Sequence, residues 1–524
     1  MLSWAVGLSI AVLGTVYILI FSGRRGKNFP PGPPTLPLIG NLHQIPKSGA
    51  HFQFTAWAQQ YGGIFSLKLG SSNAIVITDK SLVKAMLDKK SSIYSSRPVS
   101  YVSDIITHRD HLLSMDYGDK WRKFRKLAHQ QFHESRCEKE HIVLQNAEAV
   151  QMLRDFCFAP GGVMKHPKRF SNSITMTLVF GIRSATVDTP HLVKLFELME
   201  GWSKIMETGS TPPVDIFPIL KYLPESLFGK WRSRAREVGK KMDTLYGNMV
   251  SQVMKRRLAS GSAGSFLDSV LDKQDKLNLT RDEINFLCGV LLEGGSDTSS
   301  SVITAFIHAM IKYPNVQKKA QAEIDQIVGQ SRSPLWSDYA KLPYIAMIVK
   351  ETMRWRPVVP LAFPHASSED DIVNGMSIPK NSTIILNVWG IHHDPVLAPN
   401  PDIFDPSRFA NRTLLAPEYA ASADYENRDH YGYGSGRRMC PGIHLAERNL
   451  WLAMAKLLWA FSIKAKEGVG PVDSDIRTGY SEGFLCCANP FECAIEPRSE
   501  EHRETIMREF EQANQEVFAK YETD

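Results

Sequence analysis

One stretch constrains the fold more than any other: Arg281 to about Tyr313 reads as a single uninterrupted helix. Thr280 followed by Glu283 forms a capping box, and Pro314 supplies the stop. At about 1.5 Å per residue such a helix is near 50 Å long, enough to cross a whole domain. Its middle is almost uncharged, hence buried, so the rest of the chain must pack around it. That middle nevertheless contains Glu293-Gly294-Gly295-Ser296-Asp297-Thr298-Ser299. Two glycines inside a helix cost about 1 kcal/mol each relative to alanine, and a buried aspartate costs more unless it is paired. Missing side chains let a flat object or a small molecule approach the backbone. Thr298 can bond back to a carbonyl and open the helix locally.

Around this helix the pattern is mostly helical with small β elements. Gly63–Leu69 and Ala74–Thr78 look like two strands joined by residues 70–73, and short strands return near Asp371–Leu386 and Phe484–Ile495. No internal repeat is visible. A net charge of +6 over 524 residues, without an arginine-rich tract, argues against a nucleic-acid partner. The seven cysteines include no CxxC pair, so neither a disulfide framework nor a zinc site is suggested and a reducing compartment fits best. The adjacent Cys486 and Cys487 read as buried thiols or, alternatively, as a redox pair.

Residues 1–21 carry no charged side chain and match a bilayer core in length; Arg24, Arg25 and Lys27 follow. A cleaved signal would place its basic residues first. The expectation is a single-span anchor, with the positive-inside rule holding the body in the cytosol. The sequons at Asn278, Asn381 and Asn411 would then stay unglycosylated. Residues 22–45 form a basic, proline-rich linker, either an orienting spacer or simply solvated. Residues 46–498 are expected to form one body, the catalytic one if the chain is an enzyme, and 499–524 a helical extension. The extension's stripe of Ile506, Phe510, Ala513, Val517 and Tyr521 suits docking on the protein's own body or on a partner.

Near the C-terminus, Tyr433-Gly434-Ser435-Gly436-Arg437-Arg438-Met439-Cys440-Pro441-Gly442 surrounds one cysteine with glycines, ahead of an apolar helix. Backbone N–H groups, a helix N-terminus and cationic neighbours all stabilise a thiolate. This segment resembles the haem-binding loop of cytochromes P450, with Tyr433 where phenylalanine is usual. Glu351-Thr352-Met353-Arg354, Phe404-Asp405-Pro406-Ser407-Arg408-Phe409, Trp121-Arg122-Lys123-Phe124-Arg125 and Gly294–Thr298 resemble, in order, four more motifs of that family. The resemblance spans nearly the whole chain. It implies a mainly α fold with small β-sheets, the cytochrome P450 fold, preceded here by one transmembrane helix.

The resemblance also implies roles. Cys440 would be the thiolate ligand of haem b iron, and Trp121, Arg125, His365 and Arg438 would hold the propionates. A solvated role for His365 is the alternative. Asp297 and Thr298 would organise protons and water for dioxygen activation, and Glu351, Arg354 and Arg408 would form a buried structural network. Electrons would come from an NADPH-dependent P450 reductase, since the chain has no flavin or nicotinamide fingerprint. Lys120, Arg122, Lys123 and Lys126 offer it a basic patch, or a merely solvated helix face.

Pocket-facing segments of the family correspond here to Ile105, Ile106, Leu112, Leu292, Gly295, Val359, Leu361, Phe484 and Leu485, with His108 and His111 as hydroxyl partners. Each is also compatible with ordinary core. Such an apolar cavity suits a small aromatic or lipophilic substrate. Residues 293–301, 442–449 and 166–175 are similar to fungal P450s of polyketide gene clusters, the patulin-pathway hydroxylases of m-cresol and m-hydroxybenzyl alcohol among them. The implied reaction is oxygen insertion into a small phenol. Alternatives are a larger polyketide substrate, a reductase-independent isomerase or dehydratase of the same fold, or a non-catalytic haem binder.

Overall fold

The computed structural model describes residues 24–523 except Thr208, Glu482 and Phe484, together with Gly14. The expected anchor, 1–21, therefore lies outside the described residues apart from that glycine. Among the described residues no helix is long and apolar enough to cross a membrane.

The central helix runs Arg281–Lys312, capped as the sequence suggests. The Thr280 hydroxyl accepts from the Glu283 N–H, and the Glu283 carboxyl accepts from the Thr280 N–H. The helix stays continuous from Glu293 to Ser299. Thr298 does donate back to the Gly294 carbonyl, at 2.7 Å, but the expected local opening does not follow. Neighbouring contacts explain why. Helix His166–Phe180 lies against the central helix, and Ser171 and Asn172 hydrogen-bond the carbonyl and hydroxyl of Ser296. A Cβ on Gly295 would lie 2.3 Å from the Thr175 hydroxyl. Gly295 thus lets the two helices meet, whereas Gly294 faces open space.

A four-stranded sheet sits beside this helical mass, in the order Ile64–Leu69, Ser72–Ile77, Thr383–Leu386, His365–Ala366. The first pair is antiparallel with Leu69 opposite Ser72, so the loop is two residues, Gly70-Ser71, shorter than the sequence suggested. The middle pair is parallel and the last antiparallel. The late hairpin differs too: Phe461–Ala465 pairs with Cys493–Pro497, and between Ser481 and Glu492 the described residues are loop apart from Ala488, which bridges to Tyr480. No disulfide joins any of the cysteines among the described residues.

The proline-rich segment is not loose. Arg25 donates to the Ser66 hydroxyl at 2.9 Å, the Pro31 carbonyl accepts from the Ser66 N–H at 2.7 Å, and Asn41 ties down the Pro33 and Pro34 carbonyls. At the other end, helix Glu500–Glu516 packs on helix Ile142–Phe158, burying Ile506 and Ala513. Residues 522–523 then pair in parallel with Ile182–Arg183, and the Phe518 ring lies 3.3 Å from the Arg183 guanidinium.

Glu351 and Arg354, one helical turn apart on Pro343–Trp355, form a buried bidentate pair at 2.6 and 2.8 Å. The Asp405 N–H adds to Glu351 at 2.8 Å, and Arg408 stands 3.5 Å away. Removing one member of such a pair strands a buried charge. Glu351→Ala should lower unfolding free energy by about 3–5 kcal/mol, and Ile506→Ala by about 2–5 kcal/mol. Denaturant melts of the purified protein would show both; unchanged midpoints would contradict these packing roles.

Candidate active site

The central helix, the loop around Cys440 and the segments 97–125 and 358–365 enclose one cavity of about 1210 Å³. Its floor is set by backbone geometry. The Cys440 N–H donates to the Tyr433 carbonyl at 2.9 Å, closing a tight loop that leads into helix Ile443–Ala460. Asp88 clamps the loop, accepting from the Ser435 hydroxyl and the Gly436 N–H, both at 2.7 Å. Gly436 has φ +67°, and a Cβ there would meet the Leu87 carbonyl at 2.0 Å, so only glycine fits. Burial pushes the Cys440 thiol up; the Gly442 N–H and Arg125 pull it down. A metal ion at this sulfur would remove the proton outright.

Cations converge on one side of the cavity. Arg125 sits one turn after Trp121 on helix Asp119–Phe132, and both line the cavity. The Arg438 guanidinium lies 4.5 Å from the Trp121 ring and donates to the Ser95, Leu112 and Met115 carbonyls. Burial and the neighbouring Arg125 lower its pKa to about 9, against the pull of Asp116. His365, held by the sheet edge, donates from Nδ1 to the Tyr94 carbonyl at 2.7 Å. Burial, then Arg97, lowers its pKa to about 3, so it is neutral. The solvated alternative for His365 is excluded by its 5% exposure.

Arg97 was not singled out by sequence reasoning, yet it lines the same wall and donates to the Leu113, Phe363 and Pro364 carbonyls at 2.8 Å. Burial and Arg438 push its pKa well down. Its only sequence signal is a following proline, which keeps Arg97 extended but says nothing of where it points. One buried and two half-buried guanidiniums, Arg97, Arg125 and Arg438, line the same cavity as the cysteine and fit a flat group carrying carboxylates. The haem implied by the sequence therefore suits these residues, with Arg97 added to the expected set.

On the opposite wall stand Gly294, Asp297 and Thr298. Burial pushes the Asp297 carboxyl up from its ordinary value, with Lys168 pulling it back. Cys487 lies beside them, its sulfur 3.1 Å from the Ser301 hydroxyl, and burial pushes its thiol up to about 12.

Of the expected pocket residues, His111, Leu112, Gly295, Val359 and Leu485 line the cavity. Others are placed elsewhere, which corrects the expectation. Ile105 and Ile106 press their backbone against Gly239, and the Ile106 side chain is fully in the core. His108 takes the left-handed conformation that ends helix Tyr101–Thr107, which sends its ring outward to Asp243 at 3.3 Å. Leu292 is buried in the main core, and Leu361 packs on a separate cluster with Phe54 and Trp57. Phe484 lies outside the described residues. The basic patch is also weaker than the sequence suggests: Lys120 is neutralised by Asp110 and Glu283, Arg122 by Asp119, and Lys123 donates to the Leu277 carbonyl.

Comparison with known proteins agrees with this architecture. A model of the family described as Cytochrome P450 matches residues 30–493. A cytochrome P450 monooxygenase of Arthrobotrys oligospora is 56% identical over 522 residues, 98% of this chain and 97% of that protein. Cytochrome P450 monooxygenase patI of Aspergillus clavatus is 55% identical over 514 residues, again 98% and 97%. A zebra fish cytochrome P450 solved with abiraterone shares the fold, with a TM-score of 0.68 at 24% identity, covering 86% of this chain and 100% of that one. The chain belongs to the cytochrome P450 family of monooxygenases, and with that membership and fold comes a haem held by a cysteine thiolate.

Proposed function

We propose that this monooxygenase inserts one oxygen atom into a small phenolic polyketide intermediate, on the model of m-cresol or m-hydroxybenzyl alcohol hydroxylation. The observation that carries the reading is the cavity wall: Leu112, Met199, Trp202, Val290 and Val359 give it apolar surface, interrupted by polar groups such as His111, Glu293 and Asp297 that can orient a hydroxylated ring. Similarity to patI, and motif-level resemblance to the patulin-pathway hydroxylases, support the same substrate class.

Cys440 would hold the haem iron through its thiolate, and Arg97, Trp121, Arg125, His365 and Arg438 would hold the propionates. A haem held there would supply the activation of dioxygen, with the Cys440 thiolate donating electron density to the iron. Asp297, whose carboxyl burial pushes toward the protonated form, and Thr298 hold protons beside the open face left by Gly294. Trp202 and the aliphatic wall exclude water and orient the ring.

Residues 1–21 anchor the enzyme in the endoplasmic reticulum membrane in this reading, with the body in the cytosol. Surface placement supports it. The Ile39 carbonyl bonds the Gly70 N–H, and a Cβ on Gly70 would touch Ile216 and Phe217. Exposed Leu36 and Leu38 therefore share one side with the segment bearing exposed Ile219, Tyr222 and Leu227. An NADPH-cytochrome P450 reductase on that membrane is the proposed electron donor, met by the exposed Lys123 and Lys126.

Three measurements test this. Cys440→Ser should abolish the red-shifted absorption of the reduced carbonyl complex and NADPH-dependent hydroxylation of m-cresol; survival of both would refute the ligand assignment. Lys123→Glu with Lys126→Glu should slow reductase-supported turnover about tenfold at low salt and less at high salt; a rate indifferent to salt and charge would exclude docking there. The full chain should float with phospholipid vesicles after a carbonate wash, whereas a chain starting at Arg24 should be released; retention of the shortened chain would remove the anchor.

A further inference from the structure

Among the polar groups that line the cavity, one pair is both buried and hydrogen-bonded to itself. His111 is fully buried and Glu293 is 6% exposed, and both line the cavity. The His111 Nε2 and Glu293 Oε2 atoms are 3.0 Å apart. The Leu113 N–H points at His111 Nδ1, at 3.3 Å. Nδ1 is thereby the acceptor, so the ring proton sits on Nε2 and is donated to Glu293. The Trp202 ring backs the imidazole, with centroids 5.1 Å apart, and fixes its plane.

Glu293 is left with an unanswered demand. Its Oε1 is buried and has no hydrogen-bond partner among the described residues. A buried acceptor without a donor is costly. The terminal torsion of glutamate is soft and roughly two-fold, so the carboxyl can turn to share its oxygens between His111 and a donor in the cavity. Glu293 precedes Asp297 by four residues on the same helix face, about 6 Å along the axis. That offset is comparable to one substituted benzene ring. A hydroxyl bound at Glu293 would thus leave the far side of its ring beside Asp297 and Thr298.

We propose that Glu293 is the specificity-determining acceptor for the substrate's phenolic hydroxyl, and that His111 is its positioning residue. The inference rests on the small-phenol reading but is separable from it. A site built to receive an O–H discriminates against the analogue lacking it, because the acceptor is otherwise left unpaired.

The test uses the full-length holoenzyme in detergent and spectral titration with two matched pairs: m-cresol and 3-methylanisole, then 2-naphthol and 2-methoxynaphthalene. The wild type should bind each phenol about 10- to 100-fold tighter than its methyl ether. Glu293→Met should erase that ratio while ether binding holds. Glu293→Gln, which keeps the shape, should leave an intermediate ratio, and the reduced carbonyl spectrum reports whether each variant carries its pigment. Equal binding of phenol and ether by the wild type overturns the proposal, as does a ratio that survives in both variants. A ratio seen only with the naphthalene pair keeps the anchor and overturns the small-substrate reading. Binding of neither pair overturns both.

Discussion

A helix held from behind keeps the cavity open. Ser171 and Asn172 engage Ser296 on one face of the central helix, which is committed to packing, and Thr175 abuts Gly295 where that face meets the cavity margin. The other face, bearing Glu293, Gly294, Asp297 and Thr298, is left to the cavity. Serine and asparagine contacts are directional, and they fix rotation about the helix axis more firmly than an oily contact would. A rotation by one residue, about 100°, would swing Asp297 into protein and turn Leu292 toward the ligand space.

Much of this was legible from local chemistry. The capping box at Thr280, the stop at Pro314 and the glycines around Cys440 are rules of short range, and they hold in place. The buried Glu351–Arg354 pair is likewise a matter of helical spacing. What escaped was long-range. Arg97, Asp88 and the His111–Glu293 pair matter because segments far apart in the chain meet, and neither periodicity nor composition encodes that meeting. His108 and His111 show the difference plainly. Three residues apart, they looked equivalent; a left-handed residue at 108 sends one ring to solvent while the other is buried.

The pocket residues misplaced by sequence reasoning have different causes. Leu292 lies on the central helix between the lining residues Leu291 and Glu293, and a turn of about 100° per residue puts it in the core. Ile105 and Ile106 sit on a helix that packs against Gly239, and Leu361 sits in a turn that packs with Phe54 and Trp57. The proline-rich segment went the other way. It was read as a spacer or a solvated linker, yet hydrogen bonds from Arg25, Ser66 and Asn41 weld it to the first strand.

The gathering of Arg97, Arg125 and Arg438 has a consequence for how the protein is made. Like charges enclosed in a low-dielectric wall repel one another, and burial lowers the pKa of each. A dianionic partner that binds only the native form relieves the strain by mass action. Loading with iron porphyrin would then raise the folded fraction of the polypeptide, and the empty form would be the less stable one.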